Sequence, residues 1–330
     1  MSEDKINQYL LARQTGIKGH KCIYNRIKQA LETGESLFIG KIGANELNIC
    51  YQSMLINNKQ IADYNGFIKN EAFVGVGIYP QNSIAIQLFN QEYLKALRNI
   101  DILASWNDNA LMIEQQIWEQ VINININPSS SGIVDAARKE LVDLTSLESF
   151  YVDKSLWWQD LLHNKTVLII SPFTKSIQHQ LEPDQRMKVW PDSGKWNGFW
   201  DMSINFKYVT FPHPFALVSE EQQRQYPKTW LHLLDNIYKE IDNIGEFDIA
   251  LIGAGGYSIL LGAYIKNKKG RIAFHLGGGL QMMLGVYGNR WYQDGNGSGF
   301  FKEYINDAWV RPSGDEIPEK YKKQENGCYF

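Results

Sequence analysis

Three glycine-bearing turns hold the residues whose types and spacing could do chemistry. The first reads Gly40-Lys41-Ile42-Gly43-Ala44-Asn45-Glu46 and follows a short apolar run. Placed at the carboxyl end of a strand and opening a helix, it would sit at the edge where open α/β sheets bind ligands. Gly43 lets a phosphate approach the main chain, helix-start N–H groups such as that of Asn45 favour anions, and Lys41 adds a point charge suited to a diphosphate. Glu46 falls in the first helical turn, as a base or ligand-orienting carboxylate, or simply as a partner of the helix dipole.

The second turn is Gly253-Ala254-Gly255-Gly256-Tyr257-Ser258, after the run FDIALI. Gly-x-Gly between a strand and a helix is a phosphate-loop pattern, and equally a device for close helix–strand packing. Ser258 stands where a dinucleotide fingerprint has its third glycine. The next strand region, 271–279, reads RIAFHLGGG with no acid to hold a ribose. NAD is therefore disfavoured, and a mononucleotide or nucleotide sugar remains open. The third turn is His275-Leu276-Gly277-Gly278-Gly279-Leu280-Gln281, with Arg290 nine residues beyond Gln281. His275 reads as a phosphate contact, a base, or a structural histidine, and Arg290 as an anion clamp or a surface ion pair. The chain has no Gly-x-x-x-x-Gly-Lys-Ser/Thr loop, no His-Glu-x-x-His and no Gly-x-Ser-x-Gly.

These turns need strands before them and helices after them. The runs 36–42 (SLFIGKI), 101–106 (DILASW), 166–170 (TVLII), 207–211, 247–252 (FDIALI) and 271–276 read as strands. Helices are expected over most of 1–35, broken near Gly16 and Gly19 and closed by Gly34. Others are expected over 46–55, over 84–97 with Asn82 or Ser83 as cap, over 109–121 with Asp108 as cap, from Thr174 to a stop at Pro183, over 227–241 from Pro227, over 257–266 and from Leu280. Residues 123–132 turn polar, as a loop or a short strand. Strand, turn, helix, strand across 247–276 is a right-handed βαβ unit with parallel strands. The fold class is α/β, a Rossmann-like, mostly parallel sheet flanked by helices. The seam near 150–165 divides it into an amino-terminal lobe (1–155) with the Lys41–Glu46 turn and a carboxyl-terminal Rossmann-like lobe (156–330), joined as one compact unit.

Composition narrows the class further. The formal net charge of −3 argues against a nucleic-acid partner. The three cysteines, Cys22, Cys50 and Cys328, have neither disulfide nor zinc spacing, which fits a reducing cytoplasm. The polar start lacks the features of a signal peptide, and no apolar run is long enough to span a bilayer, which leaves only peripheral membrane contact. The 10 tryptophans are sugar-stacking platforms or bulky core residues.

The stretch FDIALIGAGGYSILLGAYIKNKKGRIAFHLGGGLQ resembles the carboxyl-terminal half of GT-D-type glycosyltransferases, and SLFIGKIGANEL resembles their Ser-Leu-x-Arg-Phe-Gly-Asp-Gly-Glu motif. Over 36–330 the chain is also similar to proteins of bacterial surface-polysaccharide (capsule and O-antigen) loci. It shares their Ser171-Pro172-Phe173 segment, the run from Gly277 to Gln281 with Gly288 to Trp291, Trp309 to Pro312, and Glu325 to Tyr329. The resemblance implies a GT-D-like fold and transfer of a sugar from a nucleoside-diphosphate sugar to a hydroxyl of a glycan or lipid-linked glycan. It implies Glu46 as the catalytic carboxylate, and a donor site of Lys41, Gly43, Asn45, Gly253, Gly255, Gly256, His275, Gly277, Gly278, Gln281 and Arg290. No resident cofactor is expected. Mn²⁺ or Mg²⁺ accompanying the nucleotide sugar is what the family's Asp-x-Glu implies. Here Ala44 occupies the Asp position, and one carboxylate is a poor cation site. The alternative function is a non-catalytic nucleotide- or glycan-binding component of a polysaccharide assembly complex.

Overall fold

A computed structural model describes residues 13–106, 108–118, 139–190, 199–292 and 304–330. The expected loop or strand at 123–132 lies outside the described residues, as do 1–12 of the first expected helix and 119–121 of the helix expected over 109–121. Among the described residues seven strands form one sheet: β1 (Leu37–Gly40), β2 (Ile102–Ser105), β3 (Glu140–Asp143), β4 (Thr166–Ser171), β5 (Asn205–Thr210), β6 (Ile249–Ile252) and β7 (Ile272–His275), in the order β3-β2-β1-β7-β6-β4-β5. Every pairing is parallel. The inner strands are buried throughout and mostly apolar because both faces are covered. β3 escaped the sequence reading because only Leu141 and Val142 of its four residues are buried.

The principal helices are α1 (Ile17–Thr33), α2 (Ala44–Asn57), α3 (Ser83–Leu97), α4 (Asp108–Ile117), α5 (Thr174–Gln180), α6 (Pro183–Val189), α7 (Trp230–Asn243), α8 (Ser258–Tyr264), α9 (Gly278–Met283) and α10 (Asn289–Tyr292). One sheet face presents Phe38, Leu168, Ile170, Ala250 and Ile252 to a core shared with Ile49 of α2, Phe89 of α3, Ile237 of α7 and Leu261 of α8. The other presents Leu37, Ile39, Val167, Ile169 and Leu251 to a core shared with Ile23 and Ile27 of α1, Ile177 of α5, and Trp157 and Trp158. The connections β1→β2 and β6→β7 step one way along the sheet over the first face. The connection β4→β5 steps the other way over the second, as right-handed crossovers require. The chain therefore leaves the neighbouring strands β4 and β6 in opposite directions, which opens a crevice above their carboxyl ends.

Several helix boundaries correct the sequence reading. Gly19 does not interrupt α1. It lies within the helix, where a Cβ would fall 2.1 Å from Ser146 Oγ, so it serves close packing on the 144–147 turn. Thr174 does not cap α5: it is the first helical residue, and its hydroxyl pairs with Thr210 Oγ1 at 2.6 Å. The capping acceptor comes from far along the chain, since Glu316 takes the main-chain N–H of Lys175 at 2.7 Å and of Ser176 at 3.1 Å. Pro183 opens α6 rather than only ending α5, in keeping with proline's fitness for a first helical position. Thr229 caps α7 through the His232 N–H, so Pro227 precedes the helix. Eight of the nine described tryptophans are buried in the cores, and only Trp106 is partly open. Among the described residues no helix is long and apolar enough to cross a membrane.

Candidate functional site

Because all seven strands run the same way, their carboxyl ends share one edge. A cavity of about 400 Å³ lies along it, bounded by the segments that follow β1, β7, β6, β4 and β5. Trp106, Tyr93, Arg290 and the last residues of the chain complete its wall. Eleven of the residues singled out from sequence line this space: Lys41, Gly43, Asn45, Glu46, Gly253, Gly255, His275, Gly277, Gly278, Gln281 and Arg290. Gly256 stands just behind them.

Glu46 is the third residue of α2, whose N-cap is Gly43 with no side-chain cap. Its carboxylate is held between two glycines. A Cβ on Gly43 would come within 2.0 Å of Oε2, and one on Gly256 within 2.6 Å of Oε1. Only 7% of Glu46 is exposed. Burial raises its pKa above the ordinary value, against the opposing pull of its own main-chain N–H and of Lys41. Desolvation therefore acts against the stabilisation of the carboxylate that a helix start offers.

Lys41 is half-buried, and desolvation lowers its pKa. Glu148 and Glu46 work against that fall, and Arg290 adds to it. Glu148 closes the back of the cluster, with Oε1 lying where a Cβ of Gly279 would come within 2.2 Å. Burial pushes Glu148 up to about 7, with Lys41 and Arg290 pulling the other way. Two cations facing one cavity repel each other, and an anion placed between them removes that repulsion. Arg290 keeps its planar fork beside Tyr329, with Nη1 donating to Tyr329 Oη at 3.0 Å and Glu325 4.0 Å away.

Other candidates make contacts within the protein. His275 is buried, and desolvation followed by the charge of Lys41 pushes it down to about 3. The imidazole is therefore neutral and a weak base. Its Nδ1 is enclosed with no hydrogen-bond partner among the described residues. Gln281 donates from Nε2 to Tyr329 O at 2.9 Å, which ties the carboxyl-terminal segment to the cavity wall. Ser258 Oγ accepts the Ala254 N–H at 3.0 Å, so that donor of the Gly253 turn is engaged within the protein. Gly277 adopts φ +60°, which favours glycine, and a Cβ there would meet Lys41 Cε at 3.2 Å.

The residues do not fit a divalent cation. Among the described residues no three His, Cys, Asp or Glu side chains converge on one point. Glu46 is enclosed beside a lysine, and Ala44 stands where a second carboxylate would be needed. Nor does a dinucleotide fit, since β7 ends in His275 where an acid would hold a ribose.

Sequence reasoning missed Glu148, Tyr93 and His213. Glu148 sits in a chain of short turns, and nothing in the residues around it marks its meeting with Lys41. His213 did carry a signal, as the centre of Phe211-Pro212-His213-Pro214-Phe215 immediately after a strand. Protein-family models, curated proteins and solved structures give no match to this chain.

Proposed function

We propose that the cavity binds a nucleoside-diphosphate sugar and that the protein is a glycosyltransferase acting in the bacterial cytoplasm on a surface glycan or its lipid-linked precursor. The observation that carries this reading is the placing of Lys41 and Arg290 on one cavity at the carboxyl edge of a parallel sheet, beside glycine turns and a buried carboxylate. The bond between the sugar's anomeric carbon and the diphosphate breaks, and a bond from that carbon to the acceptor oxygen forms. The acceptor's proton passes to Glu46, whose raised pKa makes its ionised form a stronger base than a free carboxylate. The diphosphate leaves with its charge against Lys41 and Arg290. GT-D-type organisation of the site belongs to the same proposal.

A second reading, a non-catalytic nucleotide- or glycan-binding component, is favoured by Ala44, which leaves Glu46 as the one acid in the first turn of α2. Slow release of nucleoside diphosphate from a panel of nucleotide sugars separates the two. The transferase releases one nucleotide above the protein-free blank and loses that activity in Glu46→Gln. No release from any donor, with binding retained, leaves the binding component.

A further inference from the structure

At the other end of the cavity from Lys41, the segment after β5 carries His213 between two prolines. Pro214 restricts the backbone of His213 to extended conformations, and Tyr226 Oη donates to the His213 carbonyl at 2.7 Å. The ring is packed against Phe173 and Phe330, with centroids 5.8 and 5.7 Å away. Its Nε2 lies 2.7 Å from the carbonyl oxygen of Glu316. A carbonyl only accepts, so Nε2 carries the proton. That carbonyl cannot swing away, because the Glu316 carboxylate is itself fixed on the Lys175 and Ser176 N–H groups at the start of α5. Burial pushes the imidazole down to about 4, with the Glu316 bond opposing, so the ring is neutral at working pH. A neutral ring protonated on Nε2 keeps a lone pair on Nδ1. Nδ1 makes no hydrogen bond to the described residues and, unlike His275 Nδ1, is not sealed in.

We propose that His213 Nδ1 is a fixed hydrogen-bond acceptor that selects ligands presenting an N–H or O–H donor at the aromatic end of the cavity. The donor is an N–H on the edge of a nucleobase or a hydroxyl of a sugar. The inference rests on the nucleotide-sugar reading above and assigns the specificity of that site. The contact is independent of pH from about 5 to 8. It is lost in acid, as Nδ1 gains a proton below about 4 and turns from acceptor into donor.

The test uses the full chain labelled with ¹⁵N, observing the His213 ring by long-range ¹H–¹⁵N correlation. In the free protein one proton is expected, on Nε2, with no titration between pH 5 and 8. A proton on Nδ1, or titration near the ordinary histidine value, overturns the proposal. UDP, ADP, GDP and CDP are then added, and separately glucose and N-acetylglucosamine. A shift of Nδ1 with one nucleoside diphosphate and not the others identifies a base N–H, the same shift with all that bind identifies a ribose hydroxyl, and a shift with a free sugar identifies a hydroxyl of that sugar. A nucleotide that shifts the Lys41 and Gly277 amides but leaves Nδ1 unmoved refutes the role of His213 and leaves the nucleotide reading standing. If no probe moves either set, both fall. His213→Phe, folded as judged by its melting, should bind the active probe several-fold to roughly tenfold more weakly, and unchanged affinity refutes the contact.

Discussion

Replacing Glu46 by glutamine separates a working carboxylate from a structural one. The change keeps size and shape, so the side chain still fits between Gly43 and Gly256. Glu46 has a folded pKa above its unfolded value, so its proton-linked contribution to stability is fully present below about 4.5 and is lost as pH rises through the folded pKa. Above the folded pKa the wild-type protein holds a charge where only 7% of the residue is exposed, countered by its own N–H and Lys41. Glutamine removes that penalty and gives up a dipole interaction of at most about 1 kcal/mol. Stability at pH 8 should accordingly stay within about 1 kcal/mol of wild type, and its fall from pH 5 to 8 should be shallower. Turnover should drop roughly 100-fold or more, the usual contribution of a positioned general base. Urea melts and nucleotide release, measured on one preparation, give both quantities. A stable variant with near-normal turnover would refute the catalytic assignment. Destabilisation well beyond about 2 kcal/mol would show that the carboxylate is structural, because losses of that size follow from breaking a buried network.

Gly256→Ala places a Cβ 2.4 Å from Val76 Cγ1 and 2.6 Å from Glu46 Oε1. It should cost about 1–3 kcal/mol in urea unfolding and reduce nucleotide release by moving the carboxylate, and an unaffected variant would contradict the packing described. Glu148, raised to about 7, should make wild-type stability fall as pH rises from about 4.5 through 7, and Glu148→Gln should flatten that slope in melts across pH 5 to 8. NADH should show no saturable fluorescence enhancement at micromolar concentrations, because the strand after the Gly253 turn ends in His275 rather than an acid.

The sheet was legible because parallel strands covered on both faces read as continuous apolar runs, such as 166–170 and 249–252. The three glycine turns were legible because each follows such a run, and parallel strands bring all three to one edge. Helix starts were less so. Thr174 looked like a cap because threonine caps locally, whereas the actual acceptor, Glu316, comes from 140 residues away. The charge state of the site was not legible at all. Glu148, Lys41 and Arg290 come from three distant segments, and the neutrality of His275 and His213 follows from burial that no local pattern encodes. The tryptophans showed the limit of composition, since all but Trp106 of those described serve the cores.

The most direct test of the central claim is the melting temperature of wild-type protein and of Lys41→Met with each nucleoside diphosphate. A ligand at about 100 times its dissociation constant adds roughly 2.7 kcal/mol. For a chain of 330 residues, an unfolding entropy of about 2.1 cal/mol/K per residue turns this into a rise of roughly 4 °C. One nucleotide should raise the wild-type melting temperature by about that amount, saturably, and the rise should shrink or vanish in Lys41→Met at the same concentration. No rise with any nucleoside diphosphate, or an equal rise in the variant, would contradict a diphosphate site built on Lys41.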